Sequence, residues 1–251
     1  MNSTDIPEKD LTVQGRAFSA RQTLLKLPIG IGKFKERTLF TVASAFALAR
    51  YTEEQIRTQH PQGQGAKREN VPPGIQRLEE NTRLLRSSAL DVQNALRTLV
   101  KLPFVRSVTG HESARILGVA QALLSASEYR WSLSGLSTFL KGFQADSPLS
   151  LEELWTFPIA LKLALLEEIL AQAAGAFSNL PASDAALNAS LLCTQEISLT
   201  DWPKQLEPLV PFEDILRQDP SNTYAGMDFE SRDLYRISIS KIAARSPMNE
   251  V

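Results

Sequence analysis

The sequence predicts an all-α fold, an irregular multi-helix bundle whose C-terminal part is rich in short helices and turns. Three observations predict it. Apolar residues recur at three- and four-residue spacing along most of the chain, and no stretch alternates as a strand does. One segment also carries a helix cap and a long apolar run in immediate succession.

In chain order, residues 1–37 are polar and broken by the LPIGIG string, and read as an arm with little regular structure. A helix is expected over 36–58, with Leu39, Val42, Phe46 and Ala49 on one face. Residues 60–74, rich in Gly, Pro, Gln and charge, read as a linker. The organisation expected is therefore an N-terminal part, 1–74, of arm, helix and linker, followed by a helical domain, 75–251. That domain opens on a helix over 75–99, with Leu78, Leu85, Val92 and Leu99 at intervals of seven. A further helix carries Ile116, Val119, Leu123 and Tyr129.

Ser150 and Glu153 have capping-box spacing, in which the hydroxyl accepts from an early amide and the glutamate reaches back to the cap. A helix should start there, with a kink or a new helix at Pro158, because proline cannot donate to the preceding turn. Residues 159–174 are apolar on most sides, as in a central helix. Prolines at 203, 208, 211 and 220 restrict the residues before them and leave room only for short helices. The last helix is expected over 229–245, capped by Asp228, with Tyr235, Ile239 and Ile242 on one face.

With 251 residues, 43% of them hydrophobic, the chain can bury a sizeable core. Its 27 basic and 28 acidic residues give a net charge of -1, so no global field favours nucleic acid or an anionic surface. Cys193, the single cysteine, excludes an internal disulfide and a cysteine-based zinc site, and His60 and His111 are far apart; no metal is expected. Residues 39–49 are too short to span a bilayer, and the 157–177 segment contains Lys162, Glu167 and Glu168. No N-terminal stretch reads as a secretory signal, so the expected compartment is the cytoplasm. Phosphate-loop, Gly-x-Ser-x-Gly and Asp-x-Asp motifs are absent, and no cofactor is expected.

Two strings carry a resemblance: SLSGLSTFLKGFQADSPLSLEELWTFPIALKLALLEEI and LRQDPSNTYAGMDFESRDLYR. Both resemble the N-terminal helical region of bacterial cyclic β-1,2-glucan synthases, large inner-membrane proteins that build a glucan from UDP-glucose. Members of that family have an Arg-x-Asp-Pro turn, a Tyr, a Met-Asp-Phe and an Arg-Asp-x-Tyr-Arg run. The matching residues are Arg217, Asp219, Pro220, Tyr224, Met227, Asp228, Phe229, Arg232, Asp233, Tyr235 and Arg236. RLEENTRLLR and the Trp202 segment are similar to further family helices, so the resemblance covers residues 77–245. It departs from the family in lacking a Trp-Leu-Leu-Asp-Asn run before Ile116. The family's catalytic domains lie beyond the part matched, so no catalytic residue carries over.

The resemblance implies a non-catalytic helical scaffold or docking module, a split or truncated synthase fragment included. Its partners would be the remaining domains of a synthase or the chain itself, with any association with the inner membrane made through such a partner. The alternative is an enzyme or sugar-binding protein acting on β-glucan or UDP-glucose through Asp214, Asp219, Asp228 and Asp233 with Arg217, Arg232 and Arg236. These charges read more simply as an architectural latch, capping helix ends and pairing with one another around a proline turn, with Tyr224 and Tyr235 beside them. Glu152, Glu153, Glu167 and Glu168 do not suit a glycosidase pair, since helix neighbours point about 100° apart. Trp131, Trp155 and Trp202 read as core anchors rather than sugar platforms.

Overall fold

The computed structural model describes residues 8–59, 73–106, 110–178, 180–243 and 245. The described residues form twelve α-helices and one two-stranded sheet, as the all-α reading requires. The helices are α1 (Glu8–Ser19), α2 (Ile31–Gln59), α3 (Pro73–Glu80), α4 (Thr82–Leu99), α5 (Arg115–Ala126) and α6 (Leu133–Gln144). They continue with α7 (Leu151–Phe177), α8 (Pro181–Leu199), α9 (Trp202–Leu206), α10 (Glu213–Leu216), α11 (Thr223–Gly226) and α12 (Phe229–Ala243). Strands β1 (Phe104–Arg106) and β2 (Glu112–Ala114) pair antiparallel, Val105 opposite Ser113.

The core is built on α7. The helix starts at the capping box, with Ser150 Oγ accepting from the Glu153 amide and the Glu153 carboxylate accepting from the Ser150 amide. Its apolar residues face several directions at once, and α2, α3, α4, α5, α8 and α9 all pack against it. Of the two alternatives expected at Pro158, a new helix does not occur: α7 runs through it, and Phe157 and Ala160 on either side are fully buried. Packing on most sides keeps the helix continuous across the one missing donor.

The leucine heptad is buried as expected, with Leu78, Leu85, Val92 and Leu99 all inaccessible. It spans two helices rather than one. Asn81 interrupts them, its side chain donating to the Arg77 carbonyl and accepting from Gln195 on α8. On the next expected helix Ile116, Val119 and Leu123 are buried in α5, while Tyr129 lies beyond its end in a left-handed conformation.

The inner face of α2 differs from expectation. Val42 and Ala49 are buried, but Leu39 is exposed, and the stripe is completed by Phe34, Thr38, Thr41, Ala45 and Thr52. Each threonine hydroxyl donates to the carbonyl four residues earlier, which lets a polar residue face the core. Residues 60–72 of the expected linker, His60 among them, lie outside the described residues, and Pro73 and Gly74 begin α3.

The expected unstructured arm contains α1, which packs along α6. Glycines bring the two backbones together: a Cβ on Gly15 would lie 2.3 Å from the Phe139 carbonyl oxygen, and one on Gly142 would lie 2.4 Å from that of Thr12. Apolar periodicity does not reveal a contact made by missing side chains.

Gly142→Ala tests this contact. Alanine favours an isolated helix by about 0.5–1 kcal/mol, but a methyl group driven into backbone that cannot yield costs about 1–3 kcal/mol. The collision should win, lowering the thermal midpoint by several degrees. Gly32→Ala in α2, where the added methyl meets nothing within 4 Å, should not lower it.

Candidate functional site

The charged stretch singled out in the sequence lies in the run from α9 to α12, of which α9 and α12 pack against α7. Prolines cut this region into short pieces: α9, a 3-10 turn at Glu207–Leu209, α10 and α11. Asp219 organises the turn after α10, accepting from the amides of Ser221, Thr223 and Tyr224. Asp228 accepts from the Ser231 amide at 2.8 Å and so caps α12. These contacts hold both carboxyls below the ordinary aspartate pKa: the Ser221 hydroxyl and amide act on Asp219, the Ser231 amide and hydroxyl on Asp228.

The arginines turn away from these aspartates. Their partners are Glu207 and Glu213, neither of which is among the residues expected at the site. Arg232 grips Glu207 with two nitrogens, at 2.6 and 3.1 Å, and donates to the Met227 carbonyl. Arg236 donates to Glu207 and, at 2.8 Å, to Glu213. Arg217 pairs with Glu213 at 2.8 Å from one turn later on the chain. The Tyr224 hydroxyl donates to Glu213 at 2.8 Å. The expected pairing of arginines with aspartates is thus replaced by a pairing with glutamates: Asp214 is exposed, and Asp233 has one carboxylate oxygen buried without a hydrogen bond.

Arg236 is fully buried and Glu213 nearly so. The guanidinium lies over the rings of Phe229 and Tyr224, with its carbon 5.6 and 6.0 Å from their centroids, and Phe229 meets Trp155 of α7 edge-on. The inward face of α12 is therefore Phe229, Arg232, Arg236 and Ile239. Of the three residues expected there, Ile239 packs on the core, whereas Tyr235 and Ile242 are exposed. Tyr235 only edges Tyr224, at 6.2 Å between ring centroids. The network leaves two buried donors without hydrogen bonds, Arg236 Nη1 and Trp155 Nε1.

Electrostatically, burial favours the neutral form of Glu207, but the hydrogen bonds from Arg232 and Arg236 outweigh it and hold the carboxyl below its ordinary value. Burial likewise opposes the charge on Arg236, and Glu213 and Glu207 overcome it. Burial first, then the bond to Glu213, pushes Tyr224 up to about 12. A carboxylate held down by two guanidinium groups is a poor proton donor at neutral pH, and its lone pairs are already engaged.

The other glutamates considered from the sequence are also committed. Glu153 is fully buried against Arg115, while Glu152 is exposed. Glu167 accepts from Arg37 and Gln121, and Glu168 from Tyr129 and Gln172; both line an open cleft of about 340 Å³. Trp131, Trp155 and Trp202 all pack against the core, and Trp202 Nε1 donates to the Ile197 carbonyl. Among the described residues no group of His, Cys, Asp and Glu could hold a metal ion. Cys193 is buried, and burial pushes its thiol up to about 12.

Removing one partner of a buried charge costs about 3–5 kcal/mol, against about 0.5–2 kcal/mol for a lost cap. Chemical denaturation should therefore rank Arg236→Ala as the most damaging change, with Arg232→Ala and Asp228→Ala milder. A pH dependence follows as well. Because the folded pKa of Glu207 is depressed, its contribution is complete above the ordinary glutamate value, about 4.3, and is lost as pH falls through the folded value. Unfolding free energy measured against pH should fall below about pH 4, and Glu207→Gln should flatten that slope.

No protein-family model matches the chain, and no curated protein matches it significantly.

Proposed function

We propose that this chain is a non-catalytic helical scaffold or docking module, related to the N-terminal helical region of cyclic β-1,2-glucan synthases and acting through protein contacts. The observation that carries this reading is the fate of the motif's charges. The stretch 217–236, which carries the most specific part of the resemblance, directs its arginines to Glu207 and Glu213, and Arg236 is sealed from solvent. Charges engaged in this way fix α12 to the bundle and leave little with which to bind a sugar or a nucleotide.

On this reading the partner is the remainder of a synthase or a second copy of the chain. The setting is cytoplasmic, and inner-membrane association runs through that partner. Among the described residues no helix is long and apolar enough to cross a membrane.

The test sets ligand against partner. Saturating UDP-glucose or β-1,2-glucan should leave the thermal midpoint unmoved, since a ligand at a hundred times its Kd would stabilise by about 2.7 kcal/mol. Affinity capture from the native host should recover a glucan-synthase polypeptide or the chain itself. A midpoint raised by either ligand in the parent, and not in Arg232→Ala, would overturn the proposal in favour of a carbohydrate-binding site.

A further inference from the structure

Leu27 and Ile29 stand out among the apolar side chains because they are 87% and 88% exposed, although the backbone beneath them is firmly held. The Leu25 amide donates to the Phe104 carbonyl at 2.9 Å, and Leu24 forms a bridge to Val105. On the other side of the loop, the amides of Ile29 and Gly30 both donate to one oxygen of Glu112, at 2.8 and 2.7 Å, and Arg106 engages the other oxygen. Gly30 permits this approach, since a Cβ there would lie 2.7 Å from that of Glu112. The loop is thus tied down at both ends and displays two bare apolar side chains between the ties.

The exposed charge that flanks the loop in the chain is mostly basic. Arg21, Lys26, Lys33 and Lys35 are exposed, and none of them makes an ion pair among the described residues. Glu36 is the only acidic residue between positions 11 and 52. Leu199, the next most exposed apolar side chain among the described residues, lies between Glu196 and Asp201 in the chain, and Leu234 follows Asp233.

We propose that the loop from Leu24 to Gly30, with the first turns of α2, docks on an anionic phospholipid surface. Leu27 and Ile29 enter the boundary between headgroups and acyl chains, while Lys26, Lys33, Lys35 and Arg21 meet the headgroup phosphates. Bare aliphatic tips flanked in the chain by exposed lysines suit an interface that is apolar inside and negative outside. An acidic protein groove would match the charge but gives no reason for the apolar tips to remain uncovered. This mode needs no partner protein, and it does not rest on the scaffold reading above.

The full chain is to be sedimented with vesicles of pure phosphatidylcholine and with equimolar phosphatidylcholine and phosphatidylglycerol, at low and high salt. Binding is expected to the anionic vesicles, weakened by salt and absent on the neutral ones. Each lysine near the surface contributes about fivefold in partition, so Lys26→Ala, Lys33→Ala and Lys35→Ala together should lower it about a hundredfold. Leu27→Ser with Ile29→Ser should lower it at least about tenfold, with an unchanged thermal midpoint because neither side chain is packed. No binding to anionic vesicles, or binding indifferent to both variants, would overturn the proposal. So would sedimentation velocity showing a dimer that Leu27→Ser and Ile29→Ser dissolve, which would make the occupant a second copy.

Discussion

The placement of α5 and of the α6–α7 connection at the start of α7 depends on one buried charge being matched. Glu153 is inaccessible to solvent and sits in the first turn of that helix, where the backbone amides and the helix dipole favour a negative group. Its counter-charge is Arg115, the first residue of α5, which also donates to the Ser147 hydroxyl and the Pro148 carbonyl. One guanidinium thus joins the start of α5, the start of α7 and the connection from α6. Arg115 lies at a helix N-terminus, an unfavourable place for a cation, and Glu153 outweighs that local disadvantage. An apolar pair of equal volume would supply comparable stability, but it would not fix the relative position of three chain segments by directional bonds.

The same device recurs at the other end of the chain. Arg236 places a second buried guanidinium against Glu207 and Glu213, and this pairing attaches α12, whose only buried residue is that arginine. Phe229, Ile237 and Ile239 of α12 are only partly buried against the bundle. Its attachment therefore leans on the charged pairs and is sensitive to acid, whereas that of α4 or α5 rests on fully buried leucine, isoleucine and valine. The two buried pairs differ in completeness: Arg115 has partners at every guanidinium nitrogen, and Arg236 leaves one without a hydrogen bond. Of the two, the α12 attachment is the one that gives way first.

Features with a local cause were legible in the sequence. The leucine heptad of α3 and α4, the capping box and the apolar run of α7 each have a signature within a few turns of chain; the capping box opens α7 as expected, and the heptad is buried although it is divided between two helices. The misses share a different cause. The contact between α1 and α6 is made where Gly15 and Gly142 lack side chains, so hydropathy does not register it. The α2 face was misjudged because its threonines satisfy their own hydroxyls and behave as core residues. Strands β1 and β2 have three residues each, too few for alternation to be recognised. At the candidate site the turns at Asp219 and Asp228 were readable because they close within five residues. The glutamate partners of the arginines were not, since 23 to 29 residues separate Arg232 and Arg236 from Glu207 and Glu213. Only Glu213 and Arg217, one helical turn apart, left a local trace.

Net charge shows the same limit on a larger scale. A sum of -1 suggests a surface with no electrostatic preference, but folding does not distribute the charges evenly. The carboxylates of Glu112, Glu153, Glu207 and Glu213 are drawn inward, where guanidinium groups and backbone amides meet them. Such sites favour arginine, whose planar fork satisfies a carboxylate bidentately, and lysine is left outside. Lys26, Lys33 and Lys35 accordingly stay on the surface, near Leu27 and Ile29 in the chain, with Glu36 the one carboxylate of that stretch. The interior therefore holds paired charge that contributes to architecture, while part of the surface holds unpaired charge of one sign that is available for recognition. A near-neutral total is what such sorting yields when the two populations cancel in number and not in place.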